Sequence, residues 1–385
     1  MNKCLSLLSC ICLLLVCGCR PEAGGDDSSD NPATTASVFT TAVPAATSAT
    51  TVWTTLATSP TTIRSPLQSS DATLDVRMSD DSAADPFITY DGHTDYYYTL
   101  FTLGSRLELY RSKTLGDLIR NGERKVLYEA SENAEITGNL WAPEMVFLDG
   151  KWYIYTSGST PFTTWQKRLC VFESETADPF DGFHFKDYLS RTLFAIDPTV
   201  YRDEATGKTY ICVSEADGCQ KLAIAELPNP WTMGTPHLIS APFDYAWEDL
   251  DPSNSPINEG AFFLQNSGRL FIVFSANGCF CDDYCLGLLE YTGGDMFSIG
   301  SWRKYEYSVF AKGNGVYAPG HASFFRSPDG SEVWVAYHGY YSENTPGEGR
   351  SRYCQVQKIG FDADGFPVFG EPLPPGARIP VPSGE

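Results

Sequence analysis

The stretch Asp197–Ser214 reads DPTVYRDEATGKTYICVS. An acidic residue leads, a short β-branched and aromatic run follows, a Gly-containing turn intervenes, and a second apolar run returns. Helical periodicity is absent. Turn-bounded runs rich in Val, Ile, Thr and Tyr read as a β-hairpin. Four other segments repeat this design: DPFITYDGHTDYYYTLF from Asp85, PEMVFLDGKWYIYTS from Pro143, EGAFFLQNSGRLFIVFS from Glu259 and GHASFFRSPDGSEVWVAYH from Gly320. Their leading polar residues are Asp85, Glu144, Asp197, Glu259 and His321, separated by 59, 53, 62 and 62 residues. That interval suits one four-stranded blade with its loops, so the expected fold is all-β, a five-bladed β-propeller.

A propeller runs the first strand of each blade along its central axis. Residues opening those strands therefore converge on one end of the channel. Asp85, Glu144, Asp197, Glu259 and His321 are expected to ring a single cavity. Four carboxylates so placed raise one another's pKa values, a cost that points to a chemical role or a bound cation. Paired carboxylates are the apparatus of glycoside hydrolysis. One donates a proton to the leaving oxygen and the other attacks or activates water. Aromatic faces stack on sugar rings, and 14 % of the chain is aromatic, although most of those rings must build the core.

The ends of the chain and its charge narrow the setting. Formal net charge is −21 over 385 residues. Such a surface repels phosphate backbones and anionic lipid, so no nucleic-acid partner is expected. Residues 1–19, MNKCLSLLSCICLLLVCGC, carry one Lys ahead of a short apolar run and read as a signal peptide. Val16-Cys17-Gly18-Cys19 resembles a bacterial lipobox, in which Cys19 would carry lipid. The protein is thus expected to be exported, either secreted or lipid-anchored at the cell envelope. Any membrane attachment would run only through that N-terminal anchor. Residues 20–80, dense in Thr, Ser and Pro, read as a disordered linker, and residues 81–385 as the catalytic propeller. Seven cysteines lie beyond the leader. In an exported chain, a disulfide among Cys279, Cys281 and Cys285 is the expectation rather than a zinc site.

Taken together, the motifs resemble glycoside hydrolase family 43. They are Asp85-Pro86-Phe87, the run Asn139–Glu144 (NLWAPE), Ala195–Val200 (AIDPTV), Ile257–Gly260 (INEG), Pro319-Gly320-His321 and Gln357–Gly365 (QKIGFDADG). The resemblance covers about residues 80–380. The stretches Pro256–Gly260, Asp283–Leu289 and Gly313–Tyr317 look most like its exo-acting α-L-arabinofuranosidase branch. By this resemblance Asp85 matches the general base of an inverting mechanism and Glu259 the general acid. Asp197 matches the carboxylate that raises the acid's pKa and orients it. His321 matches an axial His that helps hold a hydrated Ca²⁺ or Na⁺. No cofactor is required for the chemistry.

Trp141 and Phe87 are candidates for an apolar wall under the sugar, Glu144 for a substrate contact and Arg352 for a group reaching sugar hydroxyls. Two departures stand out. Ala261 replaces the Pro of a common Glu-Gly-Pro motif, and Phe87 stands where relatives often carry Trp or Tyr. The implied partner is plant cell-wall polysaccharide or oligosaccharide, arabinan or arabinoxylan. The same constellation serves β-xylosidases and endo-arabinanases, and a non-catalytic carbohydrate-binding propeller is the rival outside catalysis.

Overall fold

A computed structural model describes residues 72–163, 166–253, 255–344 and 350–385. The leader and most of the linker lie outside these residues. The described residues contain 22 β-strands, three 3₁₀ turns and no α-helix. β1 is Thr73–Asp75. The first blade holds β2 to β5 (Ala84–Asp91, Tyr96–Thr102, Arg106–Ser112, Glu123–Glu129). The second holds β6 to β9 (Gly138–Leu148, Lys151–Ser159, Arg168–Ser174, Phe183–Tyr188). The third holds β10 to β13 (Ala195–Asp203, Lys208–Asp217, Cys219–Glu226, His237–Ser240). The fourth holds β14 to β17 (Asn258–Asn266, Arg269–Ala276, Cys285–Tyr291, Trp302–Lys304). The fifth holds β18 to β21 (Tyr317–Arg326, Val333–Tyr340, Tyr353–Phe361, Pro367–Val368), and β22 is Arg378–Pro380.

Each blade is an antiparallel meander of consecutive strands. The innermost strands β2, β6, β10, β14 and β18 contact one another in turn around a closed ring. The protein is a five-bladed β-propeller, as the repeat implies. Turn chemistry fits the hairpins. Asp149-Gly150 and Ser267-Gly268 join β6 to β7 and β14 to β15 with all four residues at positive φ, the two-residue turn that matches strand twist. Apolar side chains between neighbouring blades form the core, with Trp152, Phe172, Phe271 and Tyr337 fully buried.

Ring closure corrects the expected domain boundary. Residues 73–80, assigned by composition to the linker, belong to the fold. β1 pairs with β22, and the following residues run beside β20, with Met78 N donating to Cys354 O (2.8 Å) and Val356 N to Val76 O (2.9 Å). Val76 and Met78 are completely buried there. The apolar spacing of Leu74, Val76 and Met78 is a strand signature that the Ser- and Asp-rich surroundings obscured.

Candidate active site

Every innermost strand carries a β-bulge, and the bulges aim the site residues. The register breaks at Ala84/Phe87, Trp141/Glu144, Ile196/Thr199, Glu259/Phe262 and Gly320/Ser323. The first bulged residues are therefore Asp85, Ala142, Asp197, Gly260 and His321. All five are left-handed, with φ of 55°, 44°, 54°, 52° and 49°. Asp and His tolerate this conformation better than most side chains. Pro follows the bulged residue in three blades, where its missing N–H leaves no ladder donor unpaired.

This register corrects the equivalence read from the repeats. Asp85, Asp197 and His321 are true equivalents. Glu259 stands one residue before its bulge, aligned with Trp141. Glu144 stands two residues beyond, aligned with Phe87, Thr199, Phe262 and Ser323. Blade four needs glycine at its bulge for two reasons. Its φ is +52°, and a Cβ there would lie 3.0 Å from the His321 ring.

Asp85, Asp197, Glu259 and His321 converge, each 6–8 % exposed. Asp85 is held from several sides. Its Oδ1 lies 3.0 Å from Arg352 Nη1, 3.4 Å from His321 Nδ1 and 3.3 Å from His338 Nδ1. Its Oδ2 accepts from Thr102 Oγ1 at 2.6 Å. That same hydroxyl oxygen accepts from Ala142 N at 2.8 Å, tying blade one to blade two. Asp197 Oδ2 accepts from Gly260 N at 3.1 Å, which fixes the backbone beside Glu259. Glu259 Oε1 accepts from Tyr284 Oη at 2.9 Å.

These environments separate the carboxylates electrostatically. Burial alone would raise Asp85, but the Arg352 guanidinium first and then His321 hold it well below the usual carboxylate range. Burial pushes Glu259 up to about 7, reinforced by the Asp85 charge and opposed by the Tyr284 hydrogen bond and Arg352. Asp197 is also pushed up to about 7, first by burial, then by the charges of Glu259 and Asp85. One carboxylate is thus held ionised while two bind protons near neutrality.

The remaining candidates fall in different places. Trp141 is half-buried, with Lys167 Nζ 4.4 Å from its ring centroid. Arg352 places its Nη1 on Asp85, a charge-assisted contact with a buried carboxylate. Phe87 is only 4 % exposed and belongs to the core, its ring 6.4 Å from Phe262 of blade four. Blades one and four are not neighbours, so this pair spans the channel beneath the carboxylates. Glu144 sits in that same layer, bonded to Thr199 and facing the charge of Asp197. Burial drives it well above the usual range.

Among the described residues, no group of three or more His, Cys, Asp or Glu side chains is arranged to hold a metal. His321 turns its Nδ1 toward Asp85. The residues present therefore do not form a cation cage of their own. Cys279, Cys281 and Cys285 are unpaired, which corrects the expected disulfide. Cys285 opposes Ala276 within the sheet, and its Sγ lies 3.8 Å from Asn277 Nδ2.

Two residues escaped the sequence reading. His338 is completely buried, and its Nδ1 accepts the Asp85 N–H at 3.2 Å. A ring nitrogen that accepts must carry a lone pair, so His338 is neutral, and burial lowers its pKa to about 4. Tyr284 stacks on that ring, centroids 5.6 Å apart and planes 6° from parallel. Gly320 admits the tyrosine, since a Cβ there would lie 2.3 Å from its ring. Both lie on second or third strands or their connections, outside the repeated leader pattern. Only the juxtaposition of blades one, four and five exposes them.

The model of glycosyl hydrolases family 43 matches residues 78–367, most of the chain. The chain belongs to glycoside hydrolase family 43. It is 33 % identical over 310 residues to an extracellular exo-α-(1→5)-L-arabinofuranosidase of Streptomyces avermitilis, covering 76 % of this chain and 62 % of that one. It is 33 % identical over 269 residues to the enzyme of the same name from Streptomyces chartreusis, covering 66 % and 79 %. The solved α-L-arabinofuranosidase of Lactobacillus brevis superposes with a TM-score of 0.69 at 28 % identity, covering 79 % of this chain and 97 % of that one. The chain thus spans about three fifths of the Streptomyces avermitilis relative. As a family 43 glycoside hydrolase it needs no cofactor for its chemistry.

Proposed function

We propose that this chain is an exo-acting, inverting α-L-arabinofuranosidase that releases terminal arabinose from arabinan, arabino-oligosaccharides or arabinoxylan. The observation that carries the reading is the opposed environment of two buried carboxylates. Asp85, anchored by Arg352 and His321, stays ionised and serves as general base. Glu259, raised to about 7, keeps its proton near neutrality and serves as general acid. They stand on non-neighbouring blades across the channel, which leaves room for a water between Asp85 and the anomeric carbon, as inversion requires. Asp197 orients the acid through the Gly260 N–H. Phe87 and Phe262 close the channel below, so the substrate reaches the carboxylates from one side, which favours a chain end over a threaded polymer. Trp141, half-exposed at the register position of Glu259, is the ring best placed to meet the sugar.

Relatives named extracellular support export, and the Val16–Cys19 motif supports a lipid anchor on Cys19. Proton NMR during hydrolysis of linear α-1,5-arabino-oligosaccharides tests the enzymatic reading. Stepwise release of β-arabinofuranose, lost in Glu259→Gln, is expected. The α-anomer as first product would overturn inversion. Turnover of xylosides alone would replace the substrate. Oligosaccharide binding without turnover of any glycoside would favour a carbohydrate-binding propeller.

A further inference from the structure

The innermost strands that begin at the carboxylates end on the opposite face of the propeller, beside a cleft of about 650 Å³ between blades three and four. Glu259 and Gln265 are six residues apart on β14, so the cleft lies about 20 Å from the acid. The Phe87–Phe262 pair fills the channel between them. The cleft is therefore neither an extension of the active site nor an exit from it. We propose that it is a second carbohydrate-binding site, which holds a segment of neutral polysaccharide distinct from the one being cleaved. The identity of that polymer rests on the function proposed above.

The lining selects this ligand class. Tyr291 and Phe297 offer half-exposed rings, the surface on which sugar C–H faces pack. Polar groups stand between them and are held in place. Gln265 Nε2 donates to Tyr201 Oη at 2.7 Å. Asp203 caps its own turn, accepting from Ala205 N at 3.0 Å and Thr206 Oγ1 at 2.7 Å. Asp295 accepts from Phe297 N at 3.1 Å. Among the described residues, the side chain of Arg326, half-buried from the fifth blade, makes one hydrogen bond, to Gly330 O at 3.2 Å, and no ion pair. Its remaining guanidinium donors suit hydroxyl oxygens. A purely apolar ligand would strand these polar groups. A polyanion would meet Asp203 and Asp295 on a chain of net charge −21, and the cleft's other cations are already engaged, Arg269 by Glu290 and Lys208 by Glu226 at 3.5 Å. A polyhydroxylated neutral chain satisfies rings and donors alike, and the volume is that of a small-ligand pocket.

A second grip on one polymer raises the effective concentration of the other site, so the effect should appear only on long substrates. The test uses Arg326→Ala, Tyr291→Ala and Ala205→Trp. The last fills the cleft from an exposed turn without removing a core contact. The readouts are retardation in gels containing linear arabinan or arabinoxylan, and kinetics on those polymers beside an aryl α-L-arabinofuranoside. All three variants should lose retardation and raise KM on polymer about five-fold, with the aryl substrate unchanged. Unchanged retardation and polymer kinetics would overturn the proposal, as would equal losses on polymer and aryl substrate. If no glycoside is hydrolysed, the proposed activity fails. Arabinan retardation that Ala205→Trp abolishes would still support the cleft, and its absence would sink it.

Discussion

Removing one hydroxyl, in Tyr284→Phe, should move the alkaline limb of activity upward. Tyr284 Oη donates to Glu259 Oε1 at 2.9 Å within the interior. A hydrogen bond to an ionised carboxylate is worth about 1.5–3 kcal/mol and one to a neutral group about 1 kcal/mol. The bond therefore favours the ionised acid by about 1 kcal/mol, and its loss should raise the Glu259 pKa by about 0.7 unit. The sign follows from the role. Glu259, already raised to about 7 by burial and the Asp85 charge, must be protonated to act. Losing a bond that stabilises its anion extends the protonated range, so the limb moves from about 7 toward 8. The phenyl ring still fills the space beside Gly320 and His338, so melting should change little. The assay is kcat/KM on an aryl α-L-arabinofuranoside from pH 4 to 9. A limb that stays in place or moves to lower pH would refute the assignment of Glu259 as the titrating acid.

Other substitutions probe the remaining supports. Arg352→Met should strand a buried anion and raise the Asp85 pKa. Stability should fall by about 3 kcal/mol near neutral pH, read by urea unfolding, and an acid limb should emerge within the ordinary carboxylate range. Glu259→Gln should abolish turnover yet stabilise the fold at pH 8. A carboxyl raised to about 7 in the native state gives up stability as pH climbs from about 4.5 through 7, and the amide escapes that loss. A melting temperature unchanged or lowered at pH 8 would contradict this. Gly260→Ala should cost about 1–3 kcal/mol through its φ of +52° and lower kcat, because the added methyl presses on His321 and shifts the N–H that Asp197 accepts. Wild-type stability with full activity would show that the close approach is not required.

How far the sequence reveals this molecule depends on whether a feature is local. The hairpins are local, so alternating runs and Asp-Gly or Ser-Gly turns disclosed five blades. The leaders Asp85, Asp197 and His321 were legible because each opens an inner strand. Their register was not. A one-residue difference between Glu259 and the bulge at Gly260 cannot be read from spacing that varies by several residues between blades. Phe87 illustrates a second limit. Its neighbourhood looks like a subsite, but its partner Phe262 comes from a blade more than 170 residues away. Val76 and Met78 show a third. Composition marks their surroundings as linker, and only pairing with β20 and the β1–β22 ribbon makes them core.

The same reasoning explains why the support for catalysis is concentrated where the chain is least regular. Holding Asp, Asp and His at left-handed bulges costs of order 1 kcal/mol for each residue. An ideal inner strand would avoid that cost, but its side chains would alternate between the flanking blades and the channel at fixed spacing. The bulge turns the carboxylate toward the axis and frees backbone N–H groups to point between blades. Gly260 N reaches Asp197, Ala142 N reaches Thr102 and Asp85 N reaches His338. Each of these bonds crosses from one blade to another, so the geometry that aims the acid and base also joins the ring around them. Weakening any one should disturb chemistry and closure together. That is why the informative variants are those, like Tyr284→Phe, that remove a bond to a carboxylate and leave every inter-blade backbone bond in place.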